Sequence, residues 1–139
     1  MAGLAVGIFM LIMGTGIAGL WTVDILRSPE VDRSRGLLRA RDRSSGSLLV
    51  PHWLAEYGTA CLLLAGGAGL TGRLAPGAWS WLVPLALGAL AYTSLNSLGW
   101  VLADRGRAAY GIPMALGLAG ALVAAALLLS GNLFAAPVA

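Results

Sequence analysis

Polar residues with chemical potential open an apolar stretch in the middle of the chain. In the segment 51–70, PHWLAEYGTACLLLAGGAGL, His52, Glu56 and Thr59 follow at i, i+4 and i+7, so they share one face of a helix. Tyr57 follows the acid directly. Ionisable groups in apolar surroundings are costly and need partners or water. An acid near a histidine could here bind a cation, relay a proton or hydrogen-bond a small polar ligand.

A second polar set lies in the stretch AYTSLNSLGW, where Tyr92 and Asn96 stand four residues apart beside three hydroxyl residues. Measured along the sequence from Trp53 and Trp100, which mark the predicted inner ends of their spans, Glu56 and Asn96 lie at a similar depth. We therefore expect Tyr92 or Asn96 to reach Glu56 across a helix gap. The shallow position of Glu56 slightly favours a clamp that only joins helices. The candidate ligand-binding residues are His52, Glu56, Tyr57, Tyr92 and Asn96.

Other chemistries have little support in the residue types. The chain has one histidine and one cysteine, whereas a zinc site needs three or four convergent ligands, so we assign no metal site. A haem held between two histidines lacks its second ligand, and no serine has a histidine and an acid at recognisable spacing. We therefore assign no catalytic residue, expect no cofactor and favour a protein that is not an enzyme. Cys61 is interpreted as a small buried apolar residue.

The elements that carry these residues are predicted to be membrane-spanning helices. Of the 139 residues, 58% are hydrophobic and 11% charged, against about 45–50% and about 25% in soluble domains. Four segments reach the roughly 20 apolar residues that a span needs. We interpret the first as a retained span and not a signal peptide, because no basic segment precedes it. The sequence predicts an all-α, four-helix transmembrane domain over residues 1–139, with spans at about 2–26, 51–70, 78–103 and 108–130.

The basic residues predict the orientation. All nine are arginines; eight lie in the loops after spans one and three, and Arg73 alone lies after span two. The positive-inside rule makes the 27–50 loop cytoplasmic, with both termini extracytoplasmic. Because every basic residue is an arginine and the chain is rich in alanine, glycine and leucine, a GC-rich bacterial genome is suggested, and we predict a multi-pass protein of the bacterial inner (plasma) membrane. Because the arginines flank apolar spans, we exclude nucleic acid as a partner. Two interpretations of this loop remain open: a solvated basic loop that only sets the topology, or a short interfacial helix after Ser28. In the second, five arginines are candidates to bind anionic lipid head groups: Arg33, Arg35, Arg39, Arg41 and Arg43.

Small residues and a weak repeat complete the pattern. Several glycines, among them Gly7, Gly67 and Gly117, are expected to pack helices closely within the chain, with association of several copies as the alternative. Pro84 and Pro113 are expected to kink spans three and four. The pairs LWTVDILR with GWVLADR, and EYG with AYG, suggest a parallel duplication of a helical hairpin.

Three functions remain open. The first is an accessory or scaffold subunit of a larger membrane complex, whose partners are the lipid bilayer, other membrane subunits or a second copy. The second is a small transporter or channel that uses the polar residues at the cytoplasmic ends of spans two and three. The third is a membrane protein that binds a quinone or another small ligand.

Overall fold

The computed structural model describes residues 2–27, 43–72, 81–103 and 111–130, with side chains except at positions 24, 27, 43–52, 100 and 103. These ranges form four helices: α1 Ala2–Arg27, α2 Arg43–Leu70, α3 Leu82–Ala103 and α4 Gly111–Ser130. Three of them, α1, α3 and α4, are long and apolar enough to cross a membrane. For the described ranges, the prediction of an all-α protein with helices long and apolar enough to span a membrane is confirmed.

In α1 and α4 the buried positions follow a seam of alternating steps of three and four residues. In α1 the seam is Gly7, Met10, Gly14, Ile17 and Trp21, with Val6 buried beside it, and in α4 it is Met114, Gly117, Ala121, Ala124 and Leu128. This spacing is the seam of coiled coils and four-helix bundles, which keeps one stripe of each helix toward its neighbours. The opposite faces carry exposed large apolar side chains, such as those of Ile12 and Leu116, as expected where lipid is the solvent.

The helices form a ring in chain order. The main packing is α1 on α2, α2 on α3 and α3 on α4, while α1 and α4 meet over a shorter stretch. Within the described ranges the backbones of the diagonal pairs do not come close to one another. Along α1, Gly7 faces Gly67 of α2 and Thr22 faces Tyr57, so these two helices run antiparallel. The C-terminal ends of α1 and α3 therefore lie beside the polar part of α2.

Glycine allows α1 and α2 to approach closely. A Cβ atom on Gly67 would lie 2.8 Å from the carbonyl oxygen of Gly7, and one on Gly14 would lie 3.0 Å from that of Ala60. Helices in lipid associate through such close packing, because lipid provides no hydrophobic drive between them. The prediction that these glycines pack helices within the chain is confirmed. Gly16 and Gly19, by contrast, meet nothing within 4 Å and face outward.

Two helix boundaries differ from the prediction. The helix α2 begins at Arg43, so residues 43–50 are helical and do not belong to the 27–50 loop. Pro51 therefore lies inside α2 and does not start it, which removes one backbone hydrogen bond from the helix. The helix α3 begins at Leu82, which places Pro84 in the first turn, where no intrahelical hydrogen bond is lost. The basis for a kink at Pro84 is thereby removed.

The end of α2 is fixed by a glycine. The Thr71 amide donates to the Gly67 carbonyl and the Gly72 amide to that of Gly69, each at 3.0 Å. Gly72 has a φ of 77°, the left-handed conformation that glycine adopts at helix C-termini without strain. The helix therefore stops within two residues of Leu70, as the sequence predicts.

Candidate functional site

The centre of the polar region is the carboxyl group of Glu56. The side chain is 1% exposed and lies on the seam of α2. The Ser97 hydroxyl of α3 donates a hydrogen bond to Glu56 Oε1 at 3.0 Å. The Trp21 indole of α1 contributes a further hydrogen-bonding interaction to the same carboxyl group. Glu56 thus joins α1, α2 and α3 at one level of the bundle.

The second carboxyl oxygen is left over. Within the described part of the chain, Glu56 Oε2 accepts no well-aligned hydrogen bond, and the Nε1 atom of Trp53 has no partner either. These two groups lie three residues apart on α2. A buried polar group without a hydrogen bond costs about 1–3 kcal/mol, and a buried unpaired charge costs far more. Oε2 can therefore still take up a proton or accept a hydrogen bond.

A second bridge joins α1 and α2 beside this carboxyl group. The Thr22 hydroxyl lies 2.7 Å from the Tyr57 hydroxyl and donates its proton to the Ala18 carbonyl, also at 2.7 Å. A threonine hydroxyl has one proton to give. The Tyr57 hydroxyl must therefore be the donor in the bridge between the helices.

Buried hydroxyl groups extend from Glu56 one turn deeper along α3. Thr93, Ser94 and Ser97 are all at most 5% exposed. Thr93 donates to the Ala89 carbonyl at 3.0 Å, and Thr59 of α2 donates to that of Ala55 at 2.9 Å. Both threonine hydroxyls thus donate their proton to a carbonyl oxygen of their own helix. Their hydroxyl oxygens keep lone pairs, so this part of the core can still accept hydrogen bonds.

Comparisons with protein-family models, with curated proteins and with solved structures find no match to this chain.

Two of the candidate residues lie away from Glu56. Tyr92 is 69% exposed and Asn96 is also exposed, so the structure does not bring either side chain to the carboxyl group. The expectation that they complete the polar layer is wrong. Successive residues of a helix differ by about 100° around its axis, so Ser97 on the seam turns Asn96 outward. That Tyr92 or Asn96 binds a ligand stays a prediction.

The remaining candidates are distributed as follows. Glu56 and Tyr57 both make contacts between helices, one in the core and one at its edge. The side chain of His52 lies outside the described residues. So do the head-group candidates Arg33, Arg35, Arg39 and Arg41, the interfacial helix after Ser28, and the side chain of Arg43.

Sequence reasoning missed the two partners of the carboxyl group, Ser97 and Trp21. Tryptophans favour lipid–water interfaces, yet Trp21 and Trp53 are only 5% and 6% exposed and lie inside the bundle. The three-and-four spacing through Leu90, Thr93 and Ser97 was the signal that could have identified Ser97. Cys61 is also corrected, because it is exposed on the outer face of α2.

A groove between α3 and α4 offers different chemistry. It has a volume of about 270 Å³ and is lined by apolar residues, including Pro84, Gly88, Ala91, Ala125 and Leu129. It lies toward the end of the bundle opposite Glu56. With this lining it offers no polar side chain to a ligand.

The arrangement around Glu56 limits what the site can do. Among the described residues, no group of three histidines, cysteines or acids converges on one point. The carboxyl group has a hydroxyl donor on Oε1 and the Trp21 indole nearby, while Oε2 has no well-aligned donor among the described residues. It can hold a proton, or bind one small hydrogen-bonding group, while it ties α2 to its neighbours.

Proposed function

We propose that this chain is a multi-pass protein of the bacterial inner membrane and acts as an accessory or scaffold subunit of a larger membrane complex. One observation carries the proposal. The buried polar groups gather at one end of the described bundle and mostly serve to join or satisfy its own helices. This use of polar groups is typical of a structural element.

The apolar part of the described core is evidence against a pore. Beyond the hydroxyl groups of α3, the described core consists of apolar side chains that include Met10, Leu63, Val83, Leu87 and Leu90. Each of these is at most 3% exposed. Selective conduction needs polar groups or a wetted passage along the path. An apolar core across half of the bundle supports a closed module and not a channel.

The outer surface supports a role with partners. Exposed apolar side chains cover every helix, with Leu54, Leu102, Ile112 and Leu129 each more than 70% exposed. On α3 this apolar surface is interrupted by Asn96. Amide side chains on membrane helices form hydrogen bonds to neighbouring helices. We infer that the Asn96 face of α3 is a contact with another subunit.

The proposal includes a topology. The helix α2 would be the fourth crossing, because its 28 residues would extend about 42 Å at about 1.5 Å per residue. The arginine-rich loops would lie in the cytoplasm, where they bind anionic lipids, and both termini would lie outside. The extensive packing within the pairs α1–α2 and α3–α4 supports two hairpins as the units of the proposed duplication.

Native mass spectrometry of the tagged chain, gently extracted from its own membrane, tests the scaffold role. We expect a stoichiometric assembly with other subunits. Asn96→Leu should weaken that assembly, whereas Gly16→Leu, a change on the outer face of α1, should preserve it. A well-folded chain that is found alone in every preparation contradicts the proposal.

A small transporter is the second candidate, and the open position on Glu56 Oε2 favours it. If Glu56→Gln abolished a flux across vesicles while folding and assembly were unchanged, the transporter would replace the scaffold. Quinone binding stays a prediction, and the engagement of the Tyr57 hydroxyl with Thr22 leaves that group less free for a quinone.

A further inference from the structure

The surroundings of the Glu56 carboxyl group carry no charge among the described side chains. The group interacts with Trp21 of α1 and Ser97 of α3, and Trp53 and Tyr57 lie near it in the sequence of α2. The titratable neighbours Asp24 of α1 and His52 of α2 have side chains outside the described residues. An ionised carboxylate in this position would thus rest on a hydroxyl and an indole, without a described counter-ion.

The geometry fits a proton better than a metal cation. Calcium takes six to eight oxygen ligands and magnesium demands near-octahedral coordination. Here one carboxyl group and the donating Ser97 hydroxyl are the oxygen groups that meet. A neutral acid requires only one added proton, on Oε2, while Oε1 continues to accept the hydrogen bond from Ser97. Burying a neutral acid is also far less costly than burying an unpaired charge.

We propose that Glu56 is a proton-binding site of the bundle, at which a proton adds to Oε2 while Oε1 keeps its hydrogen bond from Ser97. Two observations carry the inference: a 1% exposed acid, and an oxygen on it that no described group satisfies. The site would exist in a scaffold as well as in a transporter. It therefore goes beyond the proposed function and does not depend on it.

Modification by dicyclohexylcarbodiimide tests the site. This apolar reagent enters membranes and adds to a protonated carboxyl group: the acid's proton moves to a reagent nitrogen and the carboxyl oxygen bonds to the central carbon. Nothing leaves, and rearrangement gives a stable acylurea. In vesicles with the full-length chain, peptide mass spectrometry should find one reagent mass added at Glu56. The rate should fall about tenfold for each pH unit above the point of ionisation.

Matched controls identify the modified group. Glu56→Gln should remove the modification, and a water-soluble carbodiimide should react with acids in the loops but spare Glu56. Ser97→Ala keeps the acid and should still be modified. The proposal is overturned if Glu56 stays unmodified at every pH, if its rate ignores pH, or if the water-soluble reagent reaches it equally well.

Infrared spectroscopy gives an independent readout. The wild-type protein should show the carbonyl band of a neutral carboxylic acid that Glu56→Gln lacks. Ser97→Ala should move this band to higher frequency, because the carbonyl oxygen loses its hydrogen bond. If Glu56→Gln does not fold, the shift in Ser97→Ala decides the question alone, and an unshifted spectrum rejects the site. Failure of these tests would not change the subunit assembly expected in native mass spectrometry, so the two proposals can fail independently.

Discussion

At the scale of single residues, the bundle depends on a few polar contacts between helices. Ser97 donates to Glu56 in the core, and Tyr57 donates to Thr22 at its edge. Each contact joins two helices at the end of the bundle where α1 and α3 finish. In lipid, no water competes for these groups, so a buried donor that is removed leaves its partner unsatisfied.

Ser97→Ala is predicted to destabilise the protein by about 1–3 kcal/mol, because Glu56 loses a hydroxyl donor in a buried position. Reversible unfolding in mixed micelles measures the change. Asn96→Ala is the matched control on the next residue, where the side chain is exposed, and should change stability little. Equal effects of the two substitutions would mean that the Ser97 contact contributes nothing.

Tyr57→Phe removes the donor to Thr22 and should cost about 0.6 kcal/mol, the average for hydrogen bonds between membrane helices. A double-mutant cycle with Thr22→Val isolates the contact, since the two substitutions together should cost little more than either alone. Strict additivity of the two substitutions would show that the bridge is not formed.

At the scale of helices, the packing depends on where small residues lie around the seam. Gly7, Gly14 and Gly67 face a neighbouring helix, and Gly16 and Gly19 do not, although all five lie in similar apolar sequence. The difference follows from the alternation of three and four residues along α1. Only positions in step with Met10 and Trp21 turn toward the bundle.

Gly67→Ala tests the contact between α1 and α2. The new methyl group would meet the Gly7 carbonyl oxygen at 2.8 Å, and relief requires a shift of backbone. We expect a loss of about 1–3 kcal/mol. Gly16→Ala, with open space, should be neutral or stabilise by up to about 1 kcal/mol. Unfolding of both variants in the same micelles compares them, and tolerance at Gly67 would contradict the close approach.

At the scale of the whole molecule, both the outer surface and most of the described core are apolar. Large apolar side chains face outward on every helix, while the acid and most of the described hydroxyl groups of α3 face inward. Such a surface would be unfavourable in water, where the exposed residues are mostly polar or charged. In a membrane, apolar side chains can therefore face the lipid while the few polar groups form contacts inside the bundle.

Cysteine accessibility tests the proposed topology. In a Cys61→Ala background, Gly77→Cys in the loop after α2 should react with a membrane-impermeant maleimide in intact cells. Ser34→Cys in the arginine-rich loop should react only after the membrane is made permeable. The reverse pattern would invert the orientation, and reaction of both positions in intact cells would mean that α2 does not cross the membrane.

The sequence by itself determined the helices and their solvent. Long apolar runs, few charges and arginines between the runs predict membrane helices, since a buried backbone must satisfy its own hydrogen bonds there. It also identified Glu56 as the acid placed within an apolar segment. These properties depend on composition and spacing along one chain, and so they can be read without a partner helix.

Only the tertiary structure decided which residues meet. It turned Ser97 and Trp21 toward Glu56, and Tyr92 and Asn96 away from it. It also placed Trp53 inside the bundle and Cys61 outside. Neighbours on a helix point about 100° apart, so a change of one position in the seam exchanges a core residue for a lipid-facing one. That rotation depends on how four helices pack together, which the residues of one segment do not specify.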